Sequence, residues 1–247
     1  ALALHPDGGV VVGGSDFRVG HYKDQVWLWE KIVGPVELVS LKQIFWTDTS
    51  FVALMGAASP GLAKFDENGE IESLMSFSWE LNGSPVAPER MVLQPDGSLY
   101  VIGRYETGGL AIITLNASWE ITAAKKFEGV DYTRIHDAML LPDGQLIMLA
   151  SGGSDFQYEI ADGLIWVFDE ALNFSSGYRI GETIPLSGQN ILLTIAEGNA
   201  HQDLIIGGKL YTHDLGLWQF KQFDPVSQPV CHGESIDLVA VTDNNEV

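Results

Sequence analysis

Short apolar runs separated by polar, glycine-rich breaks recur along the whole chain. Val10-Val11-Val12, Met91-Val92-Leu93, Leu99-Tyr100-Val101-Ile102 and Leu146-Ile147-Met148-Leu149-Ala150 are examples. They are bounded by turn residues and too short for helices, which is how buried or half-buried strands read. No segment sustains an apolar period of 3.6, so helices are not predicted.

The breaks repeat. Pro-Asp-Gly occurs at residues 6–8, 95–97 and 142–144, each time between two apolar runs. Pro presets φ at the first turn position, and Asp and Gly suit the reversal that follows, so each copy predicts a hairpin. A Gly-Leu pair or its equivalent opens a further strand at Gly61, Gly109, Gly163 and Gly216, with Gln25 in that slot in the first unit. One more apolar stretch follows each, such as Val36–Ser40 or Ile71–Trp79. Five units of about four strands result, beginning near Ala1, Lys42, Met91, Ala138 and Ile191. A repeat of this length predicts an all-β fold, a five-bladed β-propeller of four-stranded antiparallel blades. The pentapeptide at Gly13–Phe17 returns at Gly152–Phe156. Both copies follow the second strand of a unit and read as equivalent loops, in which Gly ends the strand and Ser and Asp bond the local backbone.

Charge narrows the partners. The 247 residues hold 13 Lys+Arg against 33 Asp+Glu, a net charge of −20. Such a surface repels phosphate backbones and anionic lipid, so nucleic acid is not an expected partner. No run of about 18 apolar residues predicts membrane insertion by a helix. The first residue is not Met, and no basic-then-apolar leader precedes the first strand, so the chain reads as a mature protein or a piece of a longer one. The single cysteine, Cys231, rules out an internal disulfide framework.

Pro-Asp-Gly, the glycines closing second strands (Gly13, Gly103, Gly207) and the Gly-Leu strands ending in Asp/Asn-x-x-Gly or Trp-Glu-Ile together resemble the Pro-Asp-Gly repeat β-propellers of large secreted bacterial surface proteins. The resemblance spans residues 1–225. It implies a noncatalytic binding or spacer domain, a secreted or cell-surface location, and a monomer within a larger multidomain chain. The tail, Pro229–Val241, is similar to the opening of immunoglobulin-like modules in type IX secretion cargo. Residues 226–247 are therefore either the start of such a module or the outer strand of the last blade, with Ile236–Val241 expected along that edge.

Aromatic residues cluster in the loops expected after second strands. Phe17, Tyr22, Tyr105, Tyr158 and Tyr211 are the candidate ligand contacts, with Asp16 and Asp155 as polar partners. Aromatic faces beside carboxylates suit a glycan or a protein ligand, as in an adhesin. Trp27, Trp29, Trp166 and Trp218 lie within strands and are expected in the core. The alternative is a glycosidase with carboxylates in the propeller funnel, drawn from Asp16, Asp48, Glu89, Asp137 and Asp155. No catalytic residue, cofactor or metal is assigned. The six histidines show no tight ligand spacing, and Asp66–Glu70 reads as an Asn-Gly hairpin turn rather than a calcium loop.

Overall fold

A computed structural model describes residues 1–14, 18–32, 39–57, 60–76, 80–81, 84–105, 109–127, 134–152, 162–179, 190–197, 204–210, 214–220 and 230–232. All regular structure in them is β. Four sheets have four antiparallel strands: β1 to β4, β5 to β8, β14 to β17 and β18 to β21, each in chain order. The remaining sheet, third along the chain, runs β13 (Ile121–Phe127), β12 (Leu110–Leu115), β11 (Leu99–Tyr105), β10 (Ser84–Leu93), β9 (Glu80–Leu81). The chain divides into two compact units, Ala1–Met91 with Val101–Ile113, and Val92–Tyr100 with Thr114–Val247.

In the first unit, sheet one comprises β1 (Leu2–Leu4), β2 (Val10–Gly13), β3 (Arg18–Lys23) and β4 (Val26–Ile32). Sheet two comprises β5 (Val39–Trp46), β6 (Phe51–Ala57), β7 (Gly61–Phe65) and β8 (Ile71–Ser76). Alternation in β1 and β2 turns Ala3 and Val11 inward, against Leu41, Ile44, Phe51, Met55 and Phe65. At Gly13 a Cβ would sit 2.5 Å from Ile44 Cδ1, so glycine lets the two sheets approach there. The middle strand β6 is buried on both faces from Phe51 to Met55, which explains its unbroken apolar sequence. In the second unit Leu146 to Ala150 are likewise wholly buried, in β15 (Leu146–Gly152), between β14 (Arg134–Leu140) and β16 (Asp162–Phe168).

One turn geometry serves both kinds of hairpin. In each Pro-Asp-Gly turn the Gly N–H donates to the residue before Pro, at 2.9, 3.0 and 2.9 Å for Gly8, Gly97 and Gly144. The glycines have φ of 89°, 83° and 85°. The outer turns at Asp66, Asn116 and Asp169 repeat the pattern, with Gly69, Trp119 and Leu172 as the left-handed residue, at φ of 77°, 66° and 57°. This is a type I turn closed by a left-handed residue. It replaces the Asn-Gly turn expected at Asp66–Glu70, because only Gly69, and not Asn68, has positive φ. A left-handed non-glycine residue costs about 1–2 kcal/mol. Trp119 and Leu172 offset that cost by burial. At Gly69 the space is filled instead by Trp29 of sheet one, whose Cζ3 would lie 2.8 Å from a Cβ.

Four expectations change. Sheet three has five strands, because β10 (Ser84–Leu93) extends past its neighbours and pairs at Ser84 and Pro85 with β9 (Glu80–Leu81). The intervening Asn82-Gly83 is a two-residue hairpin signal in the sequence. In sheet one the third strand is β3, and the strand after Gln25 is the outer one. Asp24 and Gln25 both have positive φ, 50° and 66°, and form the two-residue reversal between β3 and β4. The fourth strand of that sheet is β4; of the run Val36–Ser40, residues 36–38 lie outside the described residues, and Val39 and Ser40 open β5, so the second unit starts earlier than Lys42. Trp27 is 55% exposed, since β4 is an edge strand with few neighbours, while Trp29 is half-buried and Trp166 buried. The last sheet comprises β18 (Asn190–Glu197), β19 (Leu204–Leu210), β20 (Asp214–Phe220) and β21 (Val230–His232). Its edge strand β21 pairs Cys231 with Trp218. Residues 236–241 lie outside the described residues.

Two predictions follow from the turns. Leu172→Gly removes the left-handed strain, worth about 1–2 kcal/mol, but loses a buried leucine, worth about 2–5 kcal/mol. Burial wins, so urea unfolding should show a net loss of about 1–3 kcal/mol, and a gain would contradict the accounting. Turn carboxylates are held below their ordinary pKa, Asp96 by the Ser98 hydroxyl and N–H, and Asp169 by the Asn173 N–H and side chain. A lowered folded pKa gives stability that is complete above the unfolded value, about 3.9, and is lost as pH falls through the folded value. Melting temperature should therefore fall more steeply below about pH 4 in the wild type than in Asp96→Asn plus Asp169→Asn.

Candidate functional site

The first Pro-Asp-Gly turn differs from its repeats in the residue before Pro. Gln94 and Leu141 hold that place in the other two copies, and His5 holds it here. Hairpin pairing then sets Val11 opposite His21 of β3, and the inward alternation of β3 buries His21 to 2% exposure. His5 is 8% exposed. The two rings stack with centroids 3.8 Å apart and planes 15° from parallel. Trp29, Trp46 and Phe51 surround them.

Asp7 binds this pair from the turn. Its Oδ1 accepts the Gly9 N–H at 3.0 Å, as the turn aspartates Asp96 and Asp143 accept from Ser98 and Gln145. The same oxygen lies 2.7 Å from His5 Nδ1, and Lys23 Nζ lies 3.2 Å from Oδ2. His5 Nε2 faces the Glu67 carbonyl at 3.1 Å, which also accepts from Trp29 Nε1 at 3.1 Å. His5 Nδ1 also faces the Asp7 N–H at 3.2 Å, so both ring nitrogens are held by polar groups of the two turns. The Gly9 N–H, with Lys23 and His5, holds the Asp7 carboxyl well below the usual carboxylate range, against burial. Burial first, then the charge of His5, pushes the His21 pKa down, against Asp7.

His21 Nε2 is the anomaly. It lies 3.2 Å from Asp7 Oδ1, close enough for the carboxylate to act on its charge, yet it makes no hydrogen bond of good geometry among the described residues. A buried polar atom left in this state calls for an explanation. Gly9 makes room for it: a Cβ there would sit 2.3 Å from His21 Nε2. One nitrogen of each histidine and one Asp7 oxygen all lie within 4.8 Å of one another. These are donor types that a divalent ion takes.

Sequence spacing did not show this cluster. The sequence places the neighbouring Tyr22 in a loop, whereas the reversal at Asp24-Gln25 puts both His21 and Tyr22 in β3, where pairing carries His21 to the Pro-Asp-Gly turn. The usable signal was the repeat itself, since a histidine stands where the other copies have Gln94 and Leu141.

Among the expected ligand contacts, Tyr22 is described in full. It lies in β3 rather than a loop, partly exposed and edge-on to Trp27 at 5.2 Å. Tyr105 ends β11 (Leu99–Tyr105), and its side chain lies outside the described residues. Asp16, Phe17, Asp155, Tyr158 and Tyr211 lie outside them too. Of the candidate carboxylates, Asp48 is exposed, Glu89 lies in β10 and Asp137 in β14, where its Oδ1 accepts the Ala138 N–H at 3.0 Å.

Trp27 has a prepared seat. Its ring lies over Gly20, where a Cβ would meet Cζ3 at 2.6 Å, with Tyr22 against its edge. Val26 and Leu28 beside it are 57% and 54% exposed.

No family model and no curated protein matches the chain. Solved structures do. A protein of unknown function from Bacteroides caccae superposes with TM-score 0.58 at 14% identity, over 94% of this chain and 74% of that one. The Pan2 WD40 domain of Neurospora crassa gives 0.57 at 12% identity, over 100% and 83%. The extracellular domain of a putative one component system from B. thetaiotaomicron gives 0.60 at 16% identity, over 99% of this chain and 29% of that one. WD40 domains are β-propellers built of four-stranded blades, so the sheets of this chain are of the β-propeller class. At these identities the likeness concerns fold.

A prediction tests the seat of His21. Gly9→Ala pushes a methyl against His21 Nε2 and the Tyr22 carbonyl, at 2.3 and 2.9 Å, and should cost about 1–3 kcal/mol as overpacking does. Gly14→Ala, whose Cβ would meet nothing within 4 Å, should change stability by less than about 0.5 kcal/mol. Equal losses on thermal melting would show that the crowding at Gly9 is relieved at no cost.

Proposed function

We propose that the chain is a noncatalytic recognition module of a secreted or cell-surface protein, built as a five-bladed β-propeller, which binds a glycan or a protein through exposed aromatic side chains. One observation carries this reading: Trp27 is more than half exposed, yet its ring is seated on Gly20 and braced by Tyr22. A ring fixed on one face and open on the other loses little conformational freedom on binding, which favours stacking on a sugar or packing on a peptide. Val26 and Leu28 extend the apolar area along the edge strand, and the Arg18–Glu30 pair at 2.8 Å supplies polar groups nearby. An extracellular domain among the structural neighbours agrees with a surface location.

The test is a glycan array followed by titration of the bound sugar with tryptophan fluorescence. Trp27→Ala should weaken binding at least about tenfold, the loss of one buried contact at an interface, while changing melting temperature little. Gly20→Ala should weaken it too, by displacing the ring. Binding untouched by both substitutions would remove β4 from the contact surface. Release of reducing sugar from a bound glycan would favour the glycosidase reading instead.

A further inference from the structure

We propose that His5, Asp7 and His21 form a binding site for one divalent transition-metal ion, zinc being the best fit, held by a ring nitrogen of each histidine and Oδ1 of Asp7. The site is separate from the aromatic surface and independent of the recognition reading.

The donor set is the first argument. Two imidazoles and a carboxylate are common ligands of zinc, and three protein ligands leave a fourth position for water. The donors converge within 4.8 Å of one another. The second argument is the unpartnered His21 Nε2, buried and facing Asp7 at 3.2 Å. The Asp7 carboxylate is a charged neighbour to it but makes no well-aligned hydrogen bond, whereas an ion between them would take its lone pair. The third is the outer set of bonds. A ligating histidine usually donates its other N–H to a carbonyl or carboxylate, and a ligating carboxylate is itself hydrogen-bonded. His5 Nε2 meets the Glu67 carbonyl at 3.1 Å, so Nδ1 is the nitrogen turned to the ion, in exchange for its present contacts with the Asp7 N–H and Oδ1 at 3.2 and 2.7 Å. Lys23 holds Oδ2 of Asp7 at 3.2 Å and the Gly9 N–H holds Oδ1 at 3.0 Å, which leaves Oδ1 a second lone pair for the ion. Gly9 keeps the space clear, since any Cβ there would occupy the place of the ion's neighbour, 2.3 Å from His21 Nε2.

Loading the site requires a defined rearrangement. Bonds of about 2.0–2.1 Å at a tetrahedral centre put ligand atoms roughly 3.3 Å apart. The His5 Nδ1 to Asp7 Oδ1 contact of 2.7 Å must therefore open, and the two stacked rings must fan apart.

The probe is cobalt(II) alone, titrated into chelator-treated wild-type protein, with zinc(II) as competitor. One equivalent should bind at micromolar concentration, give the visible absorption of four-coordinate cobalt, be displaced by zinc, and raise the melting temperature. His21→Gln and Asp7→Asn should each weaken binding by on the order of a hundredfold, as loss of a ligand exceeds the tenfold to hundredfold effect of an outer-shell change. Cys231→Ser should leave the spectrum unchanged. Absence of one-equivalent binding to the wild type overturns the proposal whatever the variants do. So does binding that survives both His21→Gln and Asp7→Asn, or that is lost with Cys231→Ser.

Discussion

The Pro-Asp-Gly hairpins and the outer turns of sheets two, three and four each reverse direction in five residues, with one residue in the left-handed region and the first residue's N–H and C=O both bonded across the turn. That constraint recurs at inner turns (His5–Gly9, Gln94–Ser98, Leu141–Gln145) and outer turns (Asp66–Glu70, Asn116–Glu120, Asp169–Asn173). A side-chain oxygen of Asp or Asn accepts a further N–H in all six. Fixing the turn fixes the strand register, and register decides which side chains face the core. At the inner turns the left-handed residue is glycine throughout. At the outer turns it is also the residue nearest the core, so Trp119 and Leu172 tolerate their backbone strain because they fill space. Gly69 gives up that role to Trp29 of the preceding sheet.

This exchange couples the sheets within each unit. Trp29 Nε1 bonds the Glu67 carbonyl of the next outer turn, and Lys31 pairs with Glu70. In the second unit Lys125, on β13 (Ile121–Phe127), reaches Ala171 and Asn173 of its next outer turn. An outer strand thus holds the outer turn that follows it by a lysine in both units. Exposed ion pairs are individually weak, about 0–1 kcal/mol. The carbonyl contacts matter more here because they hold an otherwise solvated turn against the neighbouring strand. Sheet one adds His5 as a second donor to Glu67, so the histidine cluster is built into the same coupling.

The repeat, the strand content and the Pro-Asp-Gly hairpins were legible in the sequence because turn chemistry is local: Pro, Asp and Gly each act within four residues. The outer turns were half legible. Asp66 and Gly69 mark one of them, but Trp119 and Leu172 hide the left-handed position, since their burial outweighs a local preference. Sheet one was misread at Gln25 because Asp24 and Gln25 adopt positive φ without glycine, and this moved His21 and Tyr22 from a loop into a strand. The histidine cluster was not legible by spacing, since His5 and His21 meet only once β1, β2 and β3 are in register. The extra strand β9 carried a local Asn-Gly signal at residues 82–83, overlooked because a four-strand repeat did not require it.

Repetition also turns sheet one into its own comparison. The residue paired with the first strand position after the inner turn is Phe65 in sheet two and Phe168 in sheet four, both essentially fully buried. In sheet one that residue is Tyr22, partly exposed and set against an open Trp27. One position along, His21 stands where sheet two has the half-buried Lys64 and sheet four the buried Val167. Sheet one therefore exchanges an apolar core position for a tyrosine, and beside it buries a histidine whose Nε2 makes no hydrogen bond among the described residues. Such exchanges lower stability unless something outside the fold returns it. Departures of a repeat from its own rule fall preferentially at sites of function. Here they fall on a single sheet, at adjacent positions of a single strand, with the aromatic pair opening toward solvent and the histidine pair closing toward the core.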